Sequence, residues 1–322
     1  MERRPRDHAQ RIRLGVQLAF VALNAWICVQ FFLWVRWIET GQRAVARPAG
    51  VEGWLPIAGL MNLKAWIATG AAPRIHPAAA VLFGAFVLMS ILLKKAFCSW
   101  LCPIGTLSEW VWKAGRSRIV LPRWLDVPLR GVKYLLLAFF VWFIARMPAE
   151  GIAEFMRAPY GVTADIRMLN FFRFLSTTAV IVIVSLLVLS LVIRNFWCRY
   201  LCPYGALLGL VSVISPLRIR RDASKCIDCA KCAKACPSRL PVDVKPRIRS
   251  AECTMCMSCV AACPVKGALD AKITRRRTMP AWAVAAALLA IFTGAVAWAK
   301  VTGHWQTPVA DDVIRYFVLN LT

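Results

Sequence analysis

The chain has 322 residues, of which 59% are hydrophobic and 14 are Trp, and its mean hydropathy is +0.59. A composition this apolar excludes an ordinary soluble domain and is typical of an integral membrane protein. The formal net charge of +25 would also fit a nucleic-acid-binding protein, so the placement of the basic residues along the chain decides between the two classes.

Five apolar runs predict transmembrane helices. They are residues 14–34, 76–93, 134–147, 175–193 and 280–299. Runs of about 20 residues match a hydrocarbon core of roughly 30 Å, because a helix rises about 1.5 Å per residue. The third run is short, and we expect its helix to extend toward Pro128 or Ile152. The sequence therefore predicts an α-helical membrane protein with about five transmembrane helices in contact with the lipid bilayer.

The basic residues fall mainly on one side of these predicted helices. Thirty of the 41 Lys and Arg residues lie in residues 1–13, 94–133 and 194–278, and the other 11 lie on the opposite side. Cytoplasmic loops of membrane proteins are enriched in Lys and Arg. We therefore expect a bacterial inner-membrane protein with a cytoplasmic N-terminus and a periplasmic C-terminus, and we do not expect nucleic acid as a partner.

Two nearly identical cysteine motifs follow the second and fourth apolar runs. They read FCSWLCPIG, residues 97–105, and WCRYLCPYG, residues 197–205. The cysteines of these CxxxCP motifs are Cys98, Cys102, Cys198 and Cys202. The offset of one hundred residues predicts an internal repeat of a two-span unit, and both thiol pairs are then expected at the cytoplasmic face.

The geometry and the role of the CxxxCP cysteines stay open at this point. Residues four apart on one helix share a face, but the following Pro also fits the first turn of a new helix, which would leave the pair in a loop. Three roles compete. In the first, the cysteines only pack in the protein. In the second, the two pairs converge on a further redox centre or a metal site of four thiolates. In the third, each pair cycles between dithiol and disulfide.

Eight further cysteines form two runs with the spacing C-x2-C-x2-C-x3-C-P. These runs are CIDCAKCAKACP, residues 226–237, and CTMCMSCVAACP, residues 253–264. The spacing is typical of bacterial ferredoxins with two [4Fe-4S] clusters, in which the fourth cysteine binds the partner cluster. Crossed ligation predicts one cluster on Cys226, Cys229, Cys232 and Cys263, and the other on Cys253, Cys256, Cys259 and Cys236. Disulfides are disfavoured in the reducing cytoplasm, and structural zinc normally uses paired knuckles without the third cysteine.

These features predict an order of domains along the chain. The predicted order is a cytoplasmic tail (1–13), a first membrane repeat (14–112), a second membrane repeat (113–216), a ferredoxin-like α+β domain with two clusters (217–274), and a fifth transmembrane helix with an outer tail (275–322).

The twin CxxxCP motifs, each after a span, followed by the two ferredoxin runs, resemble the NapH, NosR and CcoG group of membrane-bound polyferredoxins. The chain looks most similar to the YccM-like branch of that group. The resemblance implies an iron-sulfur electron-transfer protein that connects the quinone pool with a partner reductase, with quinol dehydrogenase activity as one form of that role. The fifth span and the segment GHWQTP, residues 303–308, depart from NapH, and the large outer domains of NosR and CcoG have no counterpart in this chain.

Two other functions stay open. In a CcoG-like copper reductase or assembly factor, the CxxxCP thiols would bind copper, since soft thiolates suit Cu(I). In a passive anchor, the basic cytoplasmic face would serve only to dock another iron-sulfur protein.

The remaining candidate residues are few. The chain has three histidines, His8, His76 and His304, and their predicted positions argue against haem b held by two membrane histidines. His76 at the start of the second span is either a quinol contact near the outer face or a capping residue. Cys28 in the first span is expected to pack in the core.

Overall fold

In the computed structural model, the described residues are 8–42, 44–115, 119–274 and 277–320. Residues 1–7 of the predicted N-terminal tail lie outside these ranges. The α-helices of the predicted tail and first membrane repeat are α1 (Ala9–Thr40), α2 (Pro56–Thr69), α3 (Pro77–Leu93), α4 (Phe97–Trp100) and α5 (Pro103–Ala114). A 3₁₀ turn spans Ala49–Trp54 before α2.

The following helices belong mainly to the second predicted repeat. They are α6 (Arg123–Arg146), α7 (Ala149–Arg157), α8 (Pro159–Val162), α9 (Ala164–Arg173), α10 (Thr177–Val192) and α11 (Pro203–Val211), with a π-helical turn at Trp197–Leu201 and a 3₁₀ turn at Ser212–Ile214. Proline occupies the first position of α2, α5 and α11, where its missing N–H costs no intrahelical hydrogen bond. The CP dipeptide of each CxxxCP motif therefore begins a new helix.

The ferredoxin-like segment contains two short antiparallel strands and two short helices. These are β1 (Arg218–Arg221), α12 (Lys231–Ala235), α13 (Ser258–Ala261) and β2 (Leu269–Lys272), followed by α14 (Ala281–Val301) and α15 (Asp311–Asn320). Ile219 pairs with Ala271 across the strands, and both are buried. Because β1 precedes the first ferredoxin run and β2 follows the second, their pairing closes the domain around both runs.

The structure supports membrane-spanning helices but does not fix their number. Three described helices, α1, α6 and α14, are long and apolar enough to cross a membrane. The pair α9 and α10, bent by 82°, would make a fourth if it forms one span, and α3 is a shorter apolar helix. The helix of the third apolar run extends toward Pro128, as expected, and contains it. The chain is a membrane protein, and the count of five spans stays a prediction.

The chain forms two compact units. The first comprises Met1–Val21, Phe86–Leu137 and Val184–Ile291, and it contains both CxxxCP motifs and the ferredoxin-like domain. The second comprises Ala22–Ala85, Ala138–Ile183 and Phe292–Thr322. The core of the second unit includes Phe31, Trp34, Ile38 and Ile166. Cys28 does not join a core, because its side chain is exposed, so the packing role expected for it is wrong.

His76 lies in a buried polar group of the second unit. Its Nε2 lies 2.9 Å from the carbonyl oxygen of Gly161, and its Nδ1 lies 3.3 Å from Glu52 Oε1 and 3.3 Å from Arg47 Nη2. Arg47 also pairs with Asp165 at 2.6 Å. Both ring nitrogens of His76 therefore face protein groups, which favours a structural role over a quinol contact.

Candidate cluster-binding site

The first of two cysteine-lined cavities lies in the ferredoxin-like domain. The cysteines that line it are Cys226, Cys229, Cys232 and Cys263. Cys229 is exposed, and the other three are partly buried. This cavity therefore opens toward the surface of the domain.

The second cavity lies in the same domain. The cysteines that line it are Cys236, Cys253, Cys256 and Cys259, and all four are buried. Each cavity thus receives three cysteines from one run and the fourth from the other. These are the two groups of four that crossed ligation predicts, although the ligation itself stays a prediction.

Backbone turns bring three cysteines of each run to the same cavity. Asp228 and Ala230 flank Cys229 with φ of 50° and 53°, and Met255 and Met257 flank Cys256 with φ of 50° and 57°. Left-handed backbone is uncommon for residues other than glycine. The same conformation at matching positions of both runs therefore indicates that the loop shape is imposed by the arrangement of the cysteines.

Positive side chains lie beside the cavities. Arg221 donates from Nε to Cys226 Sγ at 3.3 Å. Arg194 lies over the ring of Trp112 at 4.4 Å, and its charge interacts with Cys256 and Cys236 of the second cavity. Burial lowers the pKa of the Arg194 guanidinium, and the two thiols oppose that effect. Both arginines fit a site that accumulates negative charge when thiolates bind a metal cluster.

The CxxxCP cysteines lie at the junctions between helices. Cys98 is in α4 and Cys102 precedes Pro103, the first residue of α5. In the second copy, Cys202 precedes α11 and its Sγ accepts a hydrogen bond from Gly205 N at 3.2 Å. The structure therefore adopts the alternative in which the proline starts a new helix and the two thiols do not share one helical face.

All four CxxxCP thiols lie close enough to interact electrostatically. Cys198 interacts with Cys102, Cys202 and Cys98. Burial raises the pKa of the Cys98 thiol to about 12 and that of Cys102 to about 11. Burial alone lowers the pKa of the Lys95 ammonium, but Cys98, Glu252, Cys202 and Cys198 outweigh it and raise that pKa. The motifs therefore form one group, with Lys95 as a nearby cation.

Residues inside the CxxxCP motifs donate hydrogen bonds to backbone carbonyl groups in the wall of the second cavity. Ser99 Oγ donates to the carbonyl oxygen of Thr254 at 2.6 Å, and Trp100 Nε1 donates to that of Met255 at 3.0 Å. From the second motif, Arg199 Nη1 donates to the carbonyl oxygen of Pro237 at 3.1 Å. Thr254, Met255 and Pro237 all line the second cavity. Both CxxxCP motifs are thus bonded directly to the loops that carry its cysteines.

Two carboxylates, the buried Asp126 and the partly buried Glu252, support these contacts. Asp126 accepts from Arg199 at 2.8 and 2.9 Å and from Tyr200 at 2.5 Å. Glu252, next to Cys253, pairs with Lys133 at 2.6 Å and accepts from Tyr134 at 2.9 Å. Asp126 thus connects α6 to the second CxxxCP motif, and Glu252 connects the segment that begins the second ferredoxin run to α6.

Within the part of the chain that the structure describes, no three His, Cys, Asp or Glu side chains are close enough to hold a single metal ion. This holds for the CxxxCP thiols and for the ferredoxin cysteines alike. Ligands of an iron-sulfur cluster bind different iron atoms, so their sulfurs lie farther apart than the ligands of one ion.

Comparisons with known proteins match both parts of this site. The family model described as a 4Fe-4S dicluster domain matches residues 218–264, which contain the eight ferredoxin cysteines. The model described as a 4Fe-4S binding domain matches residues 75–122 and 175–221, which contain the two CxxxCP motifs. No solved structure matches the chain.

Curated relatives cover the chain to different extents. The chain is 49% identical over 318 residues to the "Putative electron transport protein YccM" of Escherichia coli, covering 95% of this chain and 89% of that protein. It is 28% identical to the "Ferredoxin-type protein NapH" of Escherichia coli over 50% of this chain and 55% of that protein. It is 31% identical to the "Regulatory protein NosR" of Stutzerimonas stutzeri over 47% of this chain and 21% of that protein.

Proposed function

Because the chain belongs to the family of ferredoxin-type 4Fe-4S electron-transport proteins that includes YccM, NapH and NosR, we propose that it relays electrons between quinol and a partner reductase. The observation that carries this proposal is the pair of four-cysteine cavities in one small domain, bonded to both membrane repeats. The proposed cofactors are two [4Fe-4S] clusters, which supply one-electron transfer when bound.

The cysteines would hold these clusters in crossed sets, Cys226, Cys229, Cys232 and Cys263 in one and Cys236, Cys253, Cys256 and Cys259 in the other. The buried second cavity keeps water away from its thiolates, and Arg194 supplies positive charge beside them. A negatively charged site in a low-dielectric environment is stabilised by a nearby fixed cation. These residues therefore prepare the second cavity for an anionic cluster.

The first cavity is the proposed exit to a soluble partner. Cys229 is exposed there, and so are Lys231 and Lys234 of the same run and Lys225 just before it. Complementary charge steers the encounter of two proteins, so an acidic partner fits this surface. The buried cysteines of the second cavity thus form the inner end of the domain. The more exposed cysteines of the first cavity form its outer end.

The proposed location is a bacterial inner membrane, crossed about five times, with the ferredoxin-like domain in the cytoplasm and the C-terminus in the periplasm. The excess of Lys and Arg in residues 1–13, 94–133 and 194–278 supports this orientation. The quinone pool supplies or receives the electrons on the membrane side, as the resemblance to the family implies.

Inverted membrane vesicles test the proposal. A quinol analogue dissolved in the bilayer loses two electrons and two protons as it becomes quinone, and two molecules of membrane-impermeant ferricyanide outside the vesicle accept the electrons. We expect vesicles with the wild-type chain to reduce ferricyanide faster than vesicles with Cys229→Ser, which keeps the membrane part intact. Equal rates in the two preparations would contradict the relay.

A copper reductase or assembly factor is a second candidate, favoured by the electrostatic interaction of Cys198 with the other three CxxxCP thiols. Soft thiolates bind Cu(I) well. This function requires copper that is stoichiometric with the purified protein and is lost in Cys98→Ser/Cys202→Ser. Absence of such copper, together with quinol-dependent ferricyanide reduction, would exclude it.

A further inference from the structure

A third extended segment, residues 246–249, lies beside β1 on the side opposite β2. Ile248 N donates to the carbonyl oxygen of Ile219 at 2.9 Å, and Arg220 forms an antiparallel bridge with Arg247. Since β2 pairs with β1 over the whole strand, β1 is the middle one of three neighbouring segments.

The outer side of these three segments carries positive charge. Ile219 and Ile248 are buried and both line the second cavity. Successive side chains of an extended segment point to opposite faces, so the residues on either side of these two isoleucines point away from the cavity. Lys272 shares that outer face, because it pairs directly with Arg218 across β1 and β2. The basic face defined in this way consists of Arg218, Arg220, Arg247, Arg249 and Lys272.

The basic face places like charges opposite each other. Arg220 lies opposite Arg247, and the same antiparallel register places Arg218 opposite Arg249. Like charges directly opposite each other on a sheet are destabilising. Burial lowers the pKa of the Arg218 guanidinium, and repulsion from Arg249, Arg247 and Arg220 lowers it further. β2 places one carboxylate, Asp270, opposite Arg220, so five cations meet one acid in this strand pairing.

Arg220 also has an unused donor. Its Nε is buried and, among the residues that the structure describes, has no hydrogen-bond partner. A buried donor without an acceptor is costly. Phosphate oxygens are strong acceptors whose geometry matches the planar guanidinium group. The unpaired donor and the opposed arginines therefore both point to a bound anion.

The basic face adjoins the end of an apolar helix. Arg218 Nε donates to the carbonyl oxygen of Ser215 at 3.0 Å. Ser215 Oγ in turn donates to the carbonyl oxygen of Leu92, in the last turn of α3, at 3.0 Å. Because α3 forms most of the second predicted span, Arg218 lies where that helix is expected to leave the bilayer.

Exposed apolar side chains lie next to Arg218. Leu210, Val213 and Ile214 are 50%, 39% and 68% exposed. Their spacing of three and four residues places them on one side of α11 and the 3₁₀ turn that follows it. Arg218 Nη2 lies 3.5 Å from the carbonyl oxygen of Val213. An apolar stripe that borders a cationic patch is typical of a surface that meets acyl chains and anionic headgroups together, which favours a lipid over an acidic protein.

We propose that the basic face binds the phosphate groups of anionic phospholipids in the cytoplasmic leaflet, with Leu210, Val213 and Ile214 against their acyl chains. This inference goes beyond the electron relay and rests only on the proposed cytoplasmic placement of the ferredoxin-like domain. Lipid binding at β1 leaves the exposed lysines of α12, Lys231 and Lys234, accessible to a soluble partner.

The full-length protein in lipid nanodiscs tests the proposal. Thermal unfolding is followed by tryptophan fluorescence in nanodiscs of phosphatidylcholine alone and in nanodiscs that also contain phosphatidylglycerol. We expect phosphatidylglycerol to raise the melting temperature of the wild type but not that of Arg247→Gln/Arg249→Gln. Lys231→Gln/Lys234→Gln also removes two exposed charges and is expected to keep the rise. An equal rise in all three proteins, or none in the wild type, would overturn the proposal.

The order of stability distinguishes lipid binding from a structural role of the arginines. In phosphatidylcholine alone, Arg247→Gln/Arg249→Gln is expected to melt above the wild type, because it relieves the repulsion across β1. With phosphatidylglycerol the wild type is expected to melt above the variant. In native mass spectrometry, phosphatidylglycerol should bind the variant about fivefold more weakly per cation removed, or about 30-fold for the pair. A variant that melts below the wild type by the same amount in both lipids would overturn lipid binding.

Two other anions complete the test. Inorganic phosphate that stabilises the wild type in phosphatidylcholine nanodiscs as much as phosphatidylglycerol does would overturn the membrane assignment in favour of free phosphate. Stabilisation by polyglutamate and not by phosphatidylglycerol, lost in Arg247→Gln/Arg249→Gln, would overturn it in favour of an acidic protein.

The proposed relay fails or stands separately. Quinol-dependent ferricyanide reduction by a protein that does not respond to phosphatidylglycerol would contradict lipid binding alone. A phosphatidylglycerol response without quinol-dependent electron transfer would support lipid binding and contradict the relay alone.

Discussion

Trp100 donates its indole N–H to the carbonyl oxygen of Met255 at 3.0 Å, and Trp100 is completely buried. Trp100 lies inside the first CxxxCP motif, and Met255 lies between Cys253 and Cys256, which line the second cavity. This hydrogen bond therefore connects the first CxxxCP motif to the loop that is predicted to hold a cluster.

Trp100→Phe removes the N–H and keeps an aromatic ring. We expect it to lower the free energy of unfolding by about 1–3 kcal/mol, because the buried Met255 carbonyl loses its donor. EPR of the dithionite-reduced protein should show a broadened signal from the cluster in the second cavity only. Trp124→Phe is the matched control, since Trp124 is 75% exposed. Equal spectra and stabilities for the two variants would contradict the role of this hydrogen bond.

Crossed ligation predicts which cysteine variants behave alike. We expect Cys263→Ser to abolish the same EPR signal as Cys226→Ser, because both cysteines line the first cavity. Cys236→Ser should instead abolish the signal that Cys253→Ser abolishes. Each single variant is expected to lose about four iron atoms per chain. Loss of one common signal in Cys263→Ser and Cys253→Ser would contradict the crossed arrangement.

The two CxxxCP motifs differ at the glycine that follows each CP dipeptide. A Cβ on Gly105 would lie 2.2 Å from the carbonyl oxygen of Cys98, whereas a Cβ on Gly205 would meet nothing closer than 3.5 Å. Gly105→Ala is therefore expected to lower stability by about 1–3 kcal/mol or more, as overpacking against backbone does. Gly205→Ala is expected to be close to neutral in thermal unfolding monitored by tryptophan fluorescence. Similar melting temperatures for both variants would show that the close approach at Gly105 is unimportant.

Glu109 gives a pH dependence of stability. It pairs with Arg13 at 2.6 Å and with Lys113 at 2.8 Å. Burial alone raises the pKa of the Glu109 carboxyl, but the two cations outweigh it and hold that pKa below its ordinary value. A carboxyl with a lower pKa in the folded state stabilises the protein above the unfolded pKa of about 4.3, and the stabilisation disappears as the pH falls through the folded value.

Glu109→Gln is therefore expected to be less stable than the wild type at pH 7, by about 3 kcal/mol, because it leaves the buried Arg13 without its partner. The difference in melting temperature should shrink as the pH falls below about 4, where the wild-type carboxyl also becomes neutral. Glu154→Gln changes an exposed carboxyl and serves as the control. A difference between wild type and Glu109→Gln that stays constant down to acidic pH would contradict the assignment.

Motif spacing predicted much of the site. The C-x2-C-x2-C-x3-C-P runs predicted the grouping of cysteines found in the two cavities, and the resemblance to the NapH and NosR group is confirmed by the relatives. Predictions of 4Fe-4S binding, electron transport and a membrane location are likewise confirmed. These features depend on local spacing and composition, which a single sequence displays directly.

Other features depend on contacts between distant parts of the chain. Lys95, Arg194 and Asp126 read as ordinary charged residues. Only the packing of remote segments places Lys95 and Arg194 beside thiols and Asp126 against Arg199 and Tyr200. The left-handed turns at Ala230 and Met257 carry no glycine that would have marked them. The role of Cys28 was mistaken because an apolar helix can turn a small residue either toward the protein or toward lipid.

The most direct test of the account is an anaerobic EPR titration of the purified, detergent-solubilised protein with a reduced quinol analogue. We predict that quinol produces the EPR signal of reduced [4Fe-4S] clusters in the wild type, and that Cys98→Ser/Cys198→Ser abolishes this response while dithionite still reduces the remaining clusters. Clusters that dithionite reduces but quinol leaves oxidised in the wild type would contradict the claim that this chain exchanges electrons with quinol.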